Sequence, residues 1–375
     1  MGFNLFQSLG GLGGNYTNWI IPFLFTLTVI VFFHELGHFL IARLCGIRVL
    51  VFSIGFGPEL VGFNDRSGTR WKISAIPLGG YVKFFGDENE ASVPDPATLA
   101  AMTEDERKHS FPGQPVGSRA AVVAAGPITN FILAVVLFAG SLMFYGKTTA
   151  IPRLAAVEPG SPAAAAGFKV GDLITSIDGT KIDNFLDVQR IVNFSPGKPL
   201  TIEVDRGGAL FTLRAVPAEK DKKVMLGITR SNEPGDVRTE PVSPLEAVWL
   251  GADETWQVVS TTMTYLRDVV VGRQSADQIG GPIKIAQITG EVAKLGFGPL
   301  VRLTALLSVS IGLLNLFPIP LLDGGHLLFY FIEAVRGRPL SERAQEVGFR
   351  IGLAIVLMLM IFAAFNDLRP YITGS

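Results

Sequence analysis

Four stretches of the chain are apolar for long enough to cross a bilayer, and everything else is arranged around them. They run from about Trp19 to Ala42, from Ala120 to Tyr145, from Leu300 to Phe331 and from Ile351 to Phe365. The third is broken by Pro318 and Pro320, so it should kink or split where neighbouring protein or a cavity can satisfy the freed backbone. The apolar start is expected to be a first span rather than a cleaved signal, because no basic segment precedes it.

Between spans one and two the pattern changes from continuous to alternating. Val49-Leu50-Val51-Phe52, the turn Asn64-Asp65-Arg66-Ser67-Gly68, Trp71-Lys72-Ile73-Ser74 and Gly79-Gly80-Tyr81-Val82 predict a small glycine-rich sheet over 49–85. Residues 87–117 are polar and acidic with several prolines, and predict a mobile loop. The segment from Gly146 to about Gly298 is mixed in polarity, as a soluble domain is. It holds strands such as Leu200-Thr201-Ile202-Glu203-Val204 and an amphipathic stretch, Pro244 to Val271. There Trp249, Trp256, Val259, Met263 and Leu266 fall at helical spacing, suited to a membrane surface, to covering an entrance or to packing on the spans. The division expected is 1–145 for two spans and the sheet, 146–220 for the soluble domain, 221–298 for a connector and 299–375 for the last two spans.

Composition agrees with a membrane protein: 48% of the 375 residues are hydrophobic and 17% charged. A net charge of -1 gives no general pull toward nucleic acid. Local charge sets an orientation instead. Arg43, Arg48 and Arg119 flank the segment between spans one and two, and Arg336, Arg338, Arg343 and Arg350 sit between spans three and four, so both should be cytoplasmic. The termini and the soluble domain are then extracytoplasmic.

One cysteine and four histidines restrict any metal centre to imidazole and carboxylate ligands. His34-Glu35-Leu36-Gly37-His38 supplies two imidazoles four residues apart on one helix face, with a carboxylate beside them suited to activating water. Within an apolar span such residues cost several kcal/mol unless they are paired or used. A catalytic zinc needs a third protein ligand and an open position. Asp323, in the broken third span, is the candidate, although an aspartate there would also serve as a helix cap. His326 could compete for the metal or stand behind it.

Taken with Asn315-Leu316-Phe317-Pro318-Ile319-Pro320-Leu321-Leu322-Asp323-Gly324, the HExxH run resembles the site-2 protease family of intramembrane zinc metalloproteases. Gly126-Pro127-Ile128-Thr129-Asn130 is similar to that family's Gly-x-x-x-Asn element. The resemblance implies that His34, His38 and Asp323 bind Zn2+, that Glu35 is the catalytic base, and that Asn315 and Asn130 contact substrate or the developing oxyanion. It also implies that the sheet over 49–85 is membrane-associated and pairs with an extended substrate strand. The implied fold is an α-helical polytopic protein with about four spans, a β-hairpin after the first, and an inserted extracytoplasmic domain.

That domain, through Pro159-Gly160-Ser161-Pro162-Ala163-Ala164-Ala165-Ala166-Gly167-Phe168 and Gly171-Asp172-Leu173-Ile174, resembles a single bacterial PDZ domain able to take a peptide along a sheet edge. The implied substrate is a single-span protein of the bacterial inner membrane, such as an anti-sigma factor already shortened by another protease. The lipid bilayer is the other partner. A desaturase-type centre would need more histidines, and a transporter a repeated half. A non-proteolytic PDZ scaffold or chaperone has no use for Glu35.

Overall fold

The computed structural model describes residues 16–86, 101–220, 223–231, 233–274, 276 and 280–373. The expected loop over 87–117 therefore lies partly outside the described residues. Contacts divide the chain into two units: Met1–Ser141 with Leu245–Ser375, and Leu142–Pro244 between them.

In chain order the first unit opens with helix α1 (Tyr16–Leu44), strands β1 (Val49–Asn64) and β2 (Arg70–Phe84), the short helix α2 (Glu104–His109) and helix α3 (Val116–Tyr145). The inserted unit contains β3 (Lys147–Ala150), β4 (Leu154–Val157), α4 (Pro162–Ala166), β5 (Leu173–Ile177), β6 (Thr180–Lys181), α5 (Phe185–Asn193), β7 (Leu200–Arg206), β8 (Ala209–Ala215), β9 (Ala218–Lys220), β10 (Lys223–Met225), β11 (Ile228–Arg230) and β12 (Val237–Glu240). Helices α6 (Pro244–Val270), α7 (Pro282–Lys294), α8 (Phe297–Asn315), α9 (Asp323–Arg336) and α10 (Glu342–Thr373) complete the chain. Among the described residues, four helical segments are long and apolar enough to cross a membrane: Asn18–Leu44, Val116–Tyr145, Phe297–Asn315 and Arg343–Leu368. The proline-broken stretch splits: α8 ends at Asn315, an irregular turn crosses Pro318 and Pro320, and α9 resumes at Asp323.

Strands β1 and β2 are long, bent and pair with each other twice. Residues 51–54 face 80–83 on one side and 70–73 on the other, and 70–74 in turn face 59–64. The two strands thus make a four-ribbon sheet whose outer edges are 80–83 and 61–64. Gly55 permits the bend, with φ +87 and so little room that a β-carbon there would lie 2.7 Å from the Ile76 carbonyl oxygen. Phe52, buried in the sheet, stacks on Trp71 at 4.2 Å, and both rings meet Phe39 of α1, which seats the sheet on the second half of that helix.

The inserted unit has its own core, in which Leu154, Phe168, Ile174, Ile177, Val188 and Ile202 are buried together. Its main sheet runs β6-β5-β7-β8. Helix α4 starts at Ser161, whose hydroxyl accepts from the Ala164 N–H, and ends at Gly167 in the left-handed region. The expected end of this domain near residue 220 is corrected by the pairing. Strand β11 returns to β4 and β12 to β3, so the unit closes at Pro244. Short strands without periodicity gave no signal of that return. A cavity of about 330 Å³ lies between Phe185, Val188 and Val192 of α5 and the Leu226–Ile228 turn and strand.

The amphipathic stretch packs on the spans. Ala247, Gly251 and Thr255 of α6 are buried, and Val258 and Val259 join a cluster with Ala134 and Phe138 of α3 and Ala305 and Val309 of α8. Trp249 and Trp256 remain exposed. Helix α7 was not expected. Its first amides are capped from far away by Asp367 of α10, whose carboxylate accepts from Gly281, Ile283 and Lys284 at 2.7–3.1 Å.

Candidate metal centre

The helical repeat puts His34 and His38 on one face of α1, where their Nε2 atoms lie 3.2 Å apart. Asp323 arrives from the opposite end of the chain. Its Oδ2 is 3.2 Å from His34 Nε2 and its Oδ1 is 3.6 Å from His38 Nε2. Among the described residues, these three form a group of possible metal ligands whose donor atoms all fall within 4.8 Å of one another.

Asp323 does not cap its helix. The cap position of α9 is Leu322, without a side-chain hydrogen bond, and the Asp323 carboxylate turns to the histidines instead. Leu321, just before, holds φ at +93, a conformation a leucine rarely adopts, so backbone strain is stored beside the ligand. Gly324 and Gly325 are required by space: β-carbons there would collide with the carbonyls of Leu316 and Phe317 and of Ile319. Arg119 of α3 fastens the same helix lower down, pairing with Glu333 at 2.5 Å and lying over the Tyr330 ring. His326 lies outside the ligand group and faces the rings of Tyr330 and Phe349.

Close approach of α1 and α3 depends on two glycines. A β-carbon on Gly37 would strike Ala125 and Thr129, and one on Gly126 would strike both imidazoles. Behind the rings, His38 Nδ1 donates to the Val122 carbonyl at 2.8 Å, and the amide of Asn130 meets His34 Nδ1 at 3.2 Å. Asn130 is fully buried. The sequence motif that contains Gly126 and Asn130 therefore surrounds the imidazoles themselves. Asn315 ends α8, half-buried, at the mouth of the proline-rich turn.

Glu35 is half-buried and within electrostatic reach of His38 and Asp323. Gly80 passes close against it: a β-carbon on Gly80 would lie 3.0 Å from Glu35 Cγ and 2.8 Å from Val31. The outer edge 80–83 of the sheet thus starts beside the general-base candidate. Sequence reading missed the Val122 carbonyl, which has no side-chain signal. It also missed the Arg119–Glu333 tie, for which a charge at the end of each apolar run was the available clue.

The donor set fits zinc. Two imidazoles and a carboxylate form a common three-ligand catalytic set that leaves a position open. The buried Asp323 Oδ2 has no hydrogen-bond partner among the described residues, and His38, held through Nδ1, directs a bare Nε2 lone pair at the same point. Without a cation, converging lone pairs and a buried carboxylate oxygen would repel one another.

Comparison with known proteins gives the same direction. Residues 22–359 match the peptidase family M50. A protein of Rhizobium meliloti named "Putative zinc metalloprotease" is 52% identical over 359 residues, covering 93% of this chain and 96% of its own. "Metalloprotease MmpA" of Caulobacter vibrioides is 41% identical over 381 residues, covering 94% and 96%. Among solved structures, the PDZ domain of an SdrC-like protein from Listeria monocytogenes overlaps 22% of this chain and 87% of its own. Its identity is 23% and its TM-score 0.20, an overlap too small to carry an argument.

Proposed function

Since this chain belongs to peptidase family M50, the site-2 protease family, and is a zinc metalloprotease with membrane-spanning helices, we propose that it hydrolyses a peptide bond within or near the transmembrane segment of a single-span protein. The observation that carries this reading is the position of the ligand group. His34 and His38 lie inside a segment long and apolar enough to span the bilayer, and the helices beside them, α3 and α8, are spans as well.

Zinc held by His34, His38 and Asp323 supplies Lewis acidity toward a peptide carbonyl and toward water. The remaining roles belong to side chains and backbone. Glu35 takes a proton from the attacking water as the new C–O bond forms, and returns one to the amine as the C–N bond breaks. Asn315, which ends α8, is assigned the task of orienting the scissile segment. The sheet edge 80–83 offers backbone groups to a substrate strand, because a helical substrate must unwind before its amides can be attacked. The inserted unit acts as a PDZ-type module whose cavity between α5 and the Leu226–Ile228 segment receives an extended peptide. An anti-sigma factor shortened beforehand by another protease has the required chemistry. The setting is the bacterial inner membrane, with the inserted unit and both termini outside and the metal centre reached from the cytoplasm, as the arginines of the short segments favour.

The test is cleavage of a tagged single-span substrate by the purified protein in detergent. Glu35→Gln should lower the rate about 10²–10⁴-fold with zinc content unchanged. Equal cleavage by both proteins would remove the proposal.

A further inference from the structure

The two imidazoles are held from behind by groups of different kinds. The Val122 carbonyl behind His38 can only accept, so the ring hydrogen sits on Nδ1 and Nε2 keeps its lone pair. The group behind His34 is an amide, which donates or accepts according to the end it presents. For His34 to be a ligand through Nε2, the atom that faces Asp323 and His38, its hydrogen must be on Nδ1. The Asn130 side chain is the group that meets Nδ1, and it must then present oxygen there.

Two features of Asn130 suit that task. Its Oδ1 is buried and has no hydrogen-bond partner among the described residues, while its Nδ2 is the atom placed against the ring. Amide oxygen and nitrogen have nearly the same size, so a half-turn of the side chain needs no extra space. It brings the partnerless oxygen onto Nδ1–H and leaves His34 Nε2 free to bind. The backbone beneath is steady: Ser308 of α8 donates its hydroxyl to the Asn130 carbonyl at 2.8 Å, and Gly126, one turn earlier, lets α3 lie against both rings.

We propose that Asn130 is the positioning residue of the His34 ligand: its side-chain carbonyl accepts Nδ1–H, selects the ring form with a free Nε2, and aims that nitrogen at the point shared by His38 and Asp323. With Val122 behind the other ring, each imidazole then has one fixed acceptor, an arrangement that raises ligand basicity and holds ring orientation. This role differs from contact with substrate, for which a fully buried side chain is badly placed. The inference rests on the reading of His34, His38 and Asp323 as the zinc ligands.

The experiment is competition for Zn2+ between a chelator and the full-length protein in detergent. Asn130→Ala should weaken zinc binding about 10- to 100-fold. Asn130→Asp, which keeps an acceptor in the same place, should return it to within a few-fold of the parent. Unchanged zinc affinity in Asn130→Ala would overturn the proposal, whether cleavage fell, as for a substrate contact, or only thermal stability, as for a tie between helices. Nitrogen-15 spectra of histidine-labelled protein with Zn2+ need no variant, and four histidines keep them assignable. His34 carrying its hydrogen on Nδ1 is the expected result, and hydrogen on Nε2 overturns it. His34→Ala separates the two levels. If it kept parental zinc affinity, the ligand assignment itself would fall. If it lost zinc while Asn130→Ala did not, only the role of Asn130 would.

Discussion

At the scale of single residues, the metal centre depends on what is missing as much as on what is present. Gly126 has no side chain, and both imidazoles occupy the space a methyl group would need. Gly126→Ala should therefore force α3 away from α1, cost about 1–3 kcal/mol of stability and lower zinc affinity at least about tenfold, by the same dependence on ring placement. Thermal unfolding and zinc competition measure the two effects. Gly140→Ala on the same helix, where nothing lies within 4 Å, should be close to neutral and serves as the control. The histidines and Asp323 were legible in the sequence because helical spacing and a proline-broken span leave local marks. The neighbours of Asn130 were not, since its partner is a ring on another helix and that helix's approach is set by tertiary packing.

At the scale of elements, two carboxylates act far from the candidate metal ligands. Asp367 of α10 caps α7 across the fold, replacing the local cap that Gly281 cannot give. Asp367→Ala should free the first turn of α7 at a cost of about 1 kcal/mol. Amide exchange at Ile283 and Lys284 should then quicken several-fold, while α3 is unaffected. In the inserted unit Asp172 is fully buried against Arg206. Burial alone would raise its carboxyl, but the Arg206 guanidinium and the Lys169 N–H hold it below its ordinary value. A depressed folded value means the contribution is complete above the usual carboxylate range, about pH 4, and is lost as the pH falls below it. Protection factors of β5 and β7 amides, with the intrinsic pH dependence of exchange divided out, should fall as the pH drops through that window. Asp172→Asn should remove the pH dependence and cost about 2 kcal/mol, less than a fully desolvated pair because Arg206 is partly exposed. The core strands of this unit could be read from their alternation. The return of β11 and β12 could not, because three- and four-residue strands carry too little pattern and their pairing with β3 and β4 spans the whole unit.

At the scale of the whole molecule, the arginine bias makes a prediction independent of catalysis. In a Cys45→Ser background, Lys198→Cys in the inserted unit should react with a membrane-impermeant thiol reagent in intact cells stripped of their outer membrane. Arg338→Cys, between α9 and α10, should react only after the inner membrane is opened. The reverse pattern would invert the orientation. The apolar runs gave the number of candidate spans because hydrocarbon thickness leaves a mark tens of residues long. Helix α7 escaped notice because it is short and half polar and is held by Asp367 from the last helix. His34 and His38 are made before Asp323, and the inserted unit lies between them in chain order. A nascent or prematurely terminated product carries at most two of the three ligands. Zinc-dependent peptidase activity that needs all three is therefore expected only once α9 has been made and has docked against α1.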